Sequence, residues 1–376
     1  MGQNLDFNFQ VILDSIGLIH GVTLGVLLII LNRRKYRSSL FLGLFLVFFS
    51  LELAMFISID SQVSERYPKL YLLPFNFSWL LFPLFFIYTQ QVSVLSKDKT
   101  KYWLLYPGIA SFLIQVAIFC LPYETKQVIY LNKWYDLFIW VFGSYYSWII
   151  GIWNLRLLYR HRIEVKNTYS YVTFKELQWA RIILIYLLSI SVFTHLLSYG
   201  YAKLFHYKVY LSIIDIIAIY WISYFGIVQR NISSVLTNKL YTHNLQDNSI
   251  EQKESTIIEP NKLEEIMLKI NDHMTRFESF TNMDLTIADL ANDLKLHPKP
   301  VSTAINSRSQ QNFNSYVNQF RIEKAKSLLA KEKMENLSIE GIGKEVGFHS
   351  KSAFYAAFRK ETGTTPTKFI EQSKLN

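Results

Sequence analysis

The stretch TIADLANDLKLH (Thr286–His297) recurs 52 residues later as SIEGIGKEVGFH (Ser338–His349). In both copies the apolar residues recur at the three- and four-residue spacing of an amphipathic helix. Each copy begins with a hydroxyl residue suited to capping a helix, and each has a small residue, Ala291 or Gly343, at the middle of that helix. A small residue allows a second helix to cross close to the first, as in a helix-turn-helix unit. The repeat therefore predicts two such units.

The residues after each copy predict the second helix of each unit, at Pro298–Ser307 and Ser350–Lys360. Pro298 is suited to the first position of a helix, because that position needs no amide donor. Apolar residues four apart form the inward faces, and these are Val301 and Ile305, then Phe354 and Phe358. The predicted units span about residues 286–307 and 338–360.

The outward residues of these second helices are the candidate DNA contacts. A helix-turn-helix unit lays its second helix in the major groove, where short polar and basic side chains reach base edges. The candidates are Lys299, Ser302, Thr303, Asn306, Lys351, Ser352, Tyr355 and Arg359. From Lys295 to Asn376 there are 14 Lys/Arg and seven Asp/Glu, an excess suited to phosphate contact. The alternative is an all-helical interaction domain that binds no DNA, and the two basic copies favour DNA.

Between the copies, Asn312–Ala330 predicts one long helix that joins the two units, and Leu263–Arg276 predicts a helix ahead of them. The run from Arg321 to Phe369 resembles the C-terminal DNA-binding domain of the AraC/XylS transcription regulators. The matching residues are Arg321, Ala325, Leu328, Leu329, Ile339, Ile342, Val346, Gly347, Phe348, Ser352, Phe354, Phe358, Gly363 and Pro366. The resemblance covers roughly residues 263–372. It implies seven helices and two recognition helices that read successive major-groove segments.

Four residues depart from the pattern of that family. Gly343 stands where Ala is usual, and Ala356 stands where a basic residue is common. Lys295 replaces a glycine that is frequent in the first turn, and Pro300 is unusual near the start of a recognition helix. These departures concern individual base contacts and leave the implied domain intact.

Outside this region the composition is that of a membrane protein. The chain of 376 residues is 51% hydrophobic and 18% charged, whereas a soluble domain has about a quarter charged residues. Residues 1–230 hold 20 Lys/Arg and 11 Asp/Glu, and residues 231–376 hold 19 and 18. This excludes a single soluble globule and general disorder. It also excludes a disulfide scaffold, since Cys120 is the only cysteine.

Seven segments contain the roughly 20 mostly apolar residues that a membrane-spanning helix needs. They are Phe9–Leu31, Leu40–Ile59, Leu70–Thr89, Trp103–Leu121, Trp134–Leu157, Ile182–Tyr201 and Val209–Val228. The first, third and fifth connections between them carry 13 Lys/Arg, counting Arg156 next to the end of the fifth segment, and the second, fourth and sixth carry six. Basic residues collect on the cytoplasmic side, so the N terminus is predicted to lie outside and the C terminus inside.

Four ionisable residues in these segments are candidate sensing residues, because a charge at membrane depth is costly and usually functional. They are Asp14, Glu52, His195 and Asp215. The alternative for each is a neutral, hydrogen-bonded packing contact between helices.

The predicted fold class is all-α: a polytopic membrane bundle of about seven spans (residues 1–230), a polar linker (231–262), and a cytoplasmic double helix-turn-helix domain (263–376). Ser234–Tyr241 could continue the seventh span as a helix.

The sequence favours a one-component transcription regulator held in the inner membrane of a bacterium, with the membrane region sensing an unknown stimulus. This arrangement also resembles a membrane-anchored subset of the AraC/XylS family. The expected partners are double-stranded DNA, membrane lipid and a stimulus ligand, and a homodimer is left open. No cofactor, metal site or catalytic residue is expected. The alternatives are a transporter or channel with a regulatory tail and a membrane enzyme, although no HExxH, kinase loop or nucleophile elbow is present.

Overall fold

The computed structural model describes residues 8–32, 37–95, 100–173, 175–198, 207–244, 259–330 and 338–375. These residues are helical apart from their turns and loops, and the only strand-like pairing among them is one antiparallel bridge between Tyr169 and Thr286. The chain divides into two compact units. The first comprises Met1–His161 with Leu177–Asn248, and the second comprises Arg162–Glu176 with Ser249–Asn376.

The first unit is built from helices that are mostly long and apolar. Within the described residues they are α1 (Phe9–Asn32), α2 (Arg37–Asp60), α3 (Val63–Arg66), α4 (Leu81–Val92), α5 (Tyr106–Phe119), α6 (Tyr123–Leu131), α7 (Phe142–Thr168), α8 (Gln178–Ser198) and α9 (Tyr207–Asn244). The last residues of α7, from Arg162 onward, belong to the second unit.

Five helical segments in the described part of the chain are long and apolar enough to cross a membrane. They are Phe9–Ile30, Ser38–Asp60, Tyr102–Phe119, Gln178–Leu196 and Lys208–Val228. These segments overlap the first, second, fourth, sixth and seventh predicted spans.

The third predicted span, Leu70–Thr89, is not one helix, and in this respect the sequence prediction is wrong. Its first part is not helical, and α4 has only 12 residues. At about 1.5 Å per residue, α4 is roughly 18 Å long, shorter than the hydrocarbon core of about 30 Å. Pro74 favours the break, because the residue before a proline is disfavoured in helical conformation.

Two backbone amides of the non-helical stretch before α4 donate hydrogen bonds to side chains of other helices. The Phe77 amide donates to Glu52 Oε1 (2.7 Å), and the Asn76 amide donates to Gln115 Oε1 (3.2 Å). Irregular backbone at membrane depth is stable where protein groups satisfy it in this way. α4 itself is enclosed by protein, with all of its side chains buried except that of Gln91.

The fifth predicted span, Trp134–Leu157, lies in a π-helical turn (Asp136–Val141) and the first half of α7. It is not among the five segments, because its many Tyr, Trp, Ser and Asn residues make it less apolar than they are. The count of seven spans therefore stays a prediction.

The second unit contains seven α-helices in the described residues, the number that the family resemblance implies. They are α10 (Pro260–Phe277), α11 (Ile287–Asp293), α12 (Pro298–Ala304), α13 (Phe313–Ala330), α14 (Ile339–Glu345), α15 (Lys351–Thr362) and α16 (Pro366–Leu375). The predicted helices at Leu263–Arg276 and Asn312–Ala330 correspond to α10 and α13 and are confirmed.

Each helix-turn-helix unit has its own hydrophobic core, and α13 contributes to both. The N-terminal half of α13 places Phe313 and Val317 in the core formed with α10, α11 and α12. Its C-terminal half places Ile322, Ala325 and Leu329 in the core formed with α14, α15 and α16. The predicted helical spacer is thus a shared wall of two small cores.

The predicted linker begins as a helix. α9 continues the seventh predicted span without a break through residues 234–241 and ends at Asn244. The remainder of the predicted linker up to residue 258 lies outside the described residues.

Candidate functional site

The first helix of each helix-turn-helix unit starts at the predicted hydroxyl cap. Thr286 Oγ1 accepts a hydrogen bond from the Asp289 amide (3.1 Å), and the Asp289 carboxylate accepts one from the Thr286 amide (2.9 Å). Ser338 Oγ accepts one from the Gly341 amide (3.1 Å). Such caps satisfy amides that have no partner within the helix. The predicted N-caps are confirmed.

The turns of the two units repeat the same backbone hydrogen bond. The Leu296 amide donates to the Ala291 carbonyl (2.8 Å), and 52 residues later the Phe348 amide donates to the Gly343 carbonyl (2.9 Å). The preceding residue is left-handed in both turns, with φ of 55° at Lys295 and 100° at Gly347. The sequence repeat is therefore a repeat of backbone geometry.

The small residue of the second unit is required by close packing. A Cβ atom at Gly343 would lie 2.9 Å from Cδ1 of Phe354, on the recognition helix that crosses it. Phe354 is fully buried, so its ring has little room to move. This contact confirms the physical reason for a small residue at that position.

The first recognition helix, α12, is short and runs into a π-helical turn (Ile305–Ser309). Val301 and Ile305 are fully buried, as predicted for the inward face. Lys299 and Asn306 are exposed, while Ser302 and Thr303 are partly exposed. Asn306 lies in the π-helical turn and not in α12. The Thr303 hydroxyl donates to the Lys299 carbonyl (2.9 Å), which leaves its oxygen free to accept a second bond.

The second recognition helix, α15, has 12 residues and buries Phe354 and Phe358. Ser350 caps it, since Ser350 Oγ accepts a hydrogen bond from the Ala353 amide (3.2 Å). The candidate contacts Lys351, Ser352 and Arg359 are exposed. Tyr355 is partly buried, and its hydroxyl lies 3.4 Å from the hydroxyl of Thr367 on α16.

The exposed basic side chains on and just after the recognition helices differ in whether they form ion pairs. In residues 259–330 and 338–375, Lys299, Lys351 and Arg359 form no ion pair, so their charges are available to phosphate or to base edges. Arg308, just beyond α12, is instead paired with Glu264 (3.3 Å) and donates to the Pro260 carbonyl (2.6 Å).

Arg321 in the middle of α13 joins the two units. The residue is 1% exposed, and its guanidinium donates to the carbonyls of Phe280 (2.7 Å) and Asn282 (2.8 Å), which precede the first helix-turn-helix unit. It also lies over the ring of Phe348 in the second turn, 5.5 Å from the centroid. Burial lowers the pKa of Arg321 to about 10, and nearby Asp284 opposes that shift. The group is therefore still protonated near neutral pH and makes charge-assisted hydrogen bonds.

Three of the four predicted sensing residues line one cavity in the first compact unit, far from the helix-turn-helix units in the sequence. The cavity has a volume of about 430 Å³ and is lined by Asp14 of α1, Glu52 of α2 and Asp215 of α9, among others. Glu52 Oε1 accepts the Phe77 amide, and Asp215 Oδ1 accepts the Tyr186 hydroxyl (2.6 Å). The sequence placed these carboxyl groups on separate helices and could not indicate that they share a cavity.

His195, the fourth predicted sensing residue, does not line this cavity. Its buried ring lies in a cage of the aromatic rings of Trp140, Tyr145 and Trp148, with centroid distances of 4.8, 5.7 and 5.1 Å. Trp140 also lines the cavity, so His195 lies behind its wall.

Sequence reasoning missed that residues 162–176 belong to the same compact unit as the two helix-turn-helix units. Ser170 contacts Leu285, Asn314 and Arg321, and Tyr171 contacts His349. The alternation TYSYVT (residues 168–173) was the one available signal of a short extended segment. Within the described residues no cluster of His, Cys, Asp or Glu could hold a metal ion.

Comparison with known proteins places a helix-turn-helix domain at the C-terminal end. Residues 290–372 match the family model described as "Helix-turn-helix domain", and the domain is of the AraC type. No curated protein matches the chain significantly.

Three solved structures are similar to part of the chain. One is the C-terminal domain of AraT, a response regulator from Geobacillus stearothermophilus (26% identity, 31% of this chain, 88% of that chain, TM-score 0.25). Another is the C-terminal domain of the two-component response regulator yesN from Fusobacterium nucleatum (29%, 29%, 98%, 0.24). The third is a DNA-binding transcriptional dual regulator from Escherichia coli K-12 (23%, 32%, 100%, 0.25).

Proposed function

We propose that this chain is a membrane-tethered, one-component transcription regulator that binds specific DNA through its two helix-turn-helix units. One observation carries the proposal. Two units with hydroxyl N-caps and the same backbone hydrogen bond in their turns are joined by one helix, and both recognition helices expose basic side chains that form no ion pair within the described residues. Five apolar helices precede this domain in the sequence, consistent with a membrane anchor. A helix-turn-helix domain of this type points to a DNA-binding protein and not to an enzyme.

The recognition helices divide into base-reading and phosphate-binding roles in this proposal. The side chains that reach base edges come from both helix-turn-helix units. They are Ser302, Thr303 and Asn306 of the first and Ser352, Tyr355 and Arg359 of the second. Lys299 and Lys351, which lie at the N-terminal ends of α12 and α15, bind phosphate or adjacent bases. The 12-residue α15 offers a longer outward face than α12, so it contributes more of the sequence preference.

The chain lies in the inner membrane of a bacterium, with its N terminus outside. The second compact unit, which contains α10 to α16 and is called the DNA-binding unit below, lies in the cytoplasm. The bias of basic residues, 13 against six, supports this orientation. The third of seven crossings is then formed by an irregular, partly buried stretch and by α4, which is enclosed by protein. The rival function is a transporter or channel with a helical tail, which the exposed basic recognition helices do not favour.

The deciding experiment is a genome-wide map of DNA bound by the intact chain in its own membrane. Wild type should enrich a defined set of fragments that share a motif. The double variant Lys351→Ala/Arg359→Ala should lose that enrichment at equal protein level, and Lys344→Ala/Lys368→Ala is the matched control for removed charge. A map with no shared motif, together with solute uptake by vesicles that contain the protein, would favour the rival function.

The cavity in the first compact unit, the one built from α1 to α9, is the sensing site in this proposal. It gathers carboxyl groups from three helices, together with Lys208, which pairs with Asp60 (2.7 Å). Carboxyl oxygens accept hydrogen bonds and much of the remaining lining is apolar, so the cavity favours a ligand that carries donors on an apolar body. Asp215 lies on α9, the same helix that continues to Asn244 toward the DNA-binding unit in the sequence. A shift of α9 on ligand binding would therefore reach the linker.

Reporter transcription from the intact protein tests the sensing role. Asp215→Asn should change target-gene output without a change in protein level. Ser223→Ala, a buried hydroxyl change on the same helix away from the cavity, should leave output as in wild type. Output that is unaffected by Asp215→Asn, and also by a Gly/Ser insertion after Tyr241, would reduce the membrane region to an anchor.

A further inference from the structure

Residues 162–176 comprise the last turns of α7 and most of its connection to α8, and they pack as part of the DNA-binding unit. Tyr169 and Ser170 are 6% and 2% exposed, although the segment lies more than 80 residues before α10 in the sequence. This burial is unusual for a polar connecting loop, which normally runs over the surface.

Ser170 makes three contacts with the first helix-turn-helix unit and the spacer helix. Its amide donates to the Leu285 carbonyl (3.1 Å), beside the antiparallel bridge between Tyr169 and Thr286. Its carbonyl accepts the side-chain amide of Asn314 (2.5 Å), and its hydroxyl accepts Nη2 of Arg321 (3.2 Å). Backbone and side chain are thus both satisfied by the DNA-binding unit.

Tyr171 reaches the second unit. Its ring packs against the ring of His349 with a centroid distance of 4.1 Å. His349 immediately precedes Ser350, the cap of α15, so this contact lies at the N-terminal end of the second recognition helix. His349 also faces Asp284 at 3.2 Å. The segment therefore touches both units and the helix that joins them.

The segment is braced by contacts of its own. Glu176 pairs with Arg162 (3.5 Å) and Lys166 (3.4 Å), and these pairs hold the two ends of the segment together. The Lys175 ammonium lies over the rings of Tyr169 (4.5 Å) and Tyr171 (5.5 Å). Such bracing lowers the entropy cost of docking, because the segment is already shaped for its partner.

We propose that residues 162–176 are a docking segment that holds the two helix-turn-helix units in the relative orientation that reads DNA. The inference rests on the proposed DNA-binding function. Two recognition helices can bind successive groove segments only at a fixed relative orientation, and the segment contacts elements of both. With the segment docked, Lys299, Lys351 and Arg359 stay exposed, which favours positioning over blockage of DNA. Because the segment is continuous with α7 and α8, these helices are linked to DNA reading independently of α9.

Cysteine cross-linking of the intact chain in membranes tests the docking. In a Cys120→Ser background, Tyr171→Cys is combined with His349→Cys, and a protease site is placed within residues 245–258. A short bis-maleimide should keep the two fragments joined after proteolysis. Tyr171→Cys with His297→Cys, the counterpart of His349 in the sequence repeat, is the matched control and should not join them. Equal joining of both pairs, or of neither, would overturn the docking.

DNA affinity of the intact chain in nanodiscs tests the positioning role. The probe is the fragment most enriched in the genome-wide map of the wild-type protein. Ser170→Ala/Tyr171→Ala should weaken binding about tenfold, which corresponds to about 1.4 kcal/mol. Thr173→Ala, an exposed position in the same segment, should match wild type. Unchanged affinity in the double variant would refute positioning, and tighter binding would show that the segment blocks DNA.

The cross-linked chain separates the remaining outcomes. The cross-linked Tyr171→Cys/His349→Cys protein should bind DNA with the affinity of the same protein before cross-linking. A loss of DNA affinity on cross-linking would contradict the proposed orientation. If wild type enriches no DNA fragment, the proposed function falls and the positioning role falls with it. A positive cross-link with unchanged DNA affinity in the double variant overturns the positioning role alone.

Discussion

The two helix-turn-helix units reach the same turn by different means. The first turn has an exposed lysine, Lys295, in the left-handed conformation, whereas the second has Gly347, whose Cβ position lies 2.7 Å from the Thr281 carbonyl and 3.0 Å from Arg321. The second turn is also one residue longer, with His349 before the cap of α15. The difference shows that the first turn faces solvent, while the second packs against the spacer helix and the segment before α11.

The largest expected effect would break both units together. Arg321→Met removes hydrogen bonds to Phe280, Asn282 and Ser170 and leaves buried carbonyls without a charged donor, at a cost of about 3–5 kcal/mol. Hydrogen exchange of the intact chain should show faster opening in α11 and α12 and also in α14 and α15. Lys324→Met, on the same helix but at the surface, should cost under about 1 kcal/mol. An effect confined to one unit would contradict a joining role for Arg321.

The next effect should separate the units. Gly347→Ala places a side chain in left-handed backbone and against two carbonyls, so we expect a loss of about 3 kcal/mol. Exchange should accelerate in α14 and α15 and much less in α11 and α12. Lys295→Gly, at the matching turn, should change stability by no more than about 1 kcal/mol, because relief of strain offsets added chain entropy. Equal sensitivity of both turns would refute the distinction between them.

A smaller effect concerns DNA and compares two residues of one helix. Arg359→Ala should weaken binding by about 1–3 kcal/mol and relax preference at one base position. Lys351→Ala should weaken all sequences alike and lower the salt dependence of binding. Selection of bound sequences from a random pool by the intact chain measures both. An unchanged motif with Arg359→Ala would show that Arg359 does not read a base.

The smallest effect compares the two caps. Thr286→Ala removes a reciprocal cap, whereas Ser338→Ala removes a single hydrogen bond, so losses of roughly 1–2 and 0.5–1 kcal/mol are expected. Exchange rates of the first-turn amides of α11 and α14 report the two changes. The reverse order would show that the capping box adds nothing here.

Much of the structure of the DNA-binding unit was predictable from the sequence, because the interactions that form its helices and turns are local. Caps at Thr286 and Ser338, apolar spacing in α12 and α15, and the small residue at Gly343 act within a few residues or between adjacent helices. The same holds for five apolar helices, since length and hydrophobicity are properties of one segment. The end of α12 was missed, because the π-helical turn that contains Asn306 leaves no mark in the periodicity.

The sequence by itself determined the all-helical class, the doubled helix-turn-helix domain and the apolar character of most of the helices from α1 to α9. Tertiary structure alone decided the break before α4, the cavity shared by Asp14, Glu52 and Asp215, and the docking of residues 162–176. Each of these depends on groups far apart in the chain: Glu52 satisfies the Phe77 amide, and Ser170 meets Arg321 at a separation of 151 residues. Periodicity and capping report the conformation of neighbouring residues. A contact between distant ones exists only once the helices have packed.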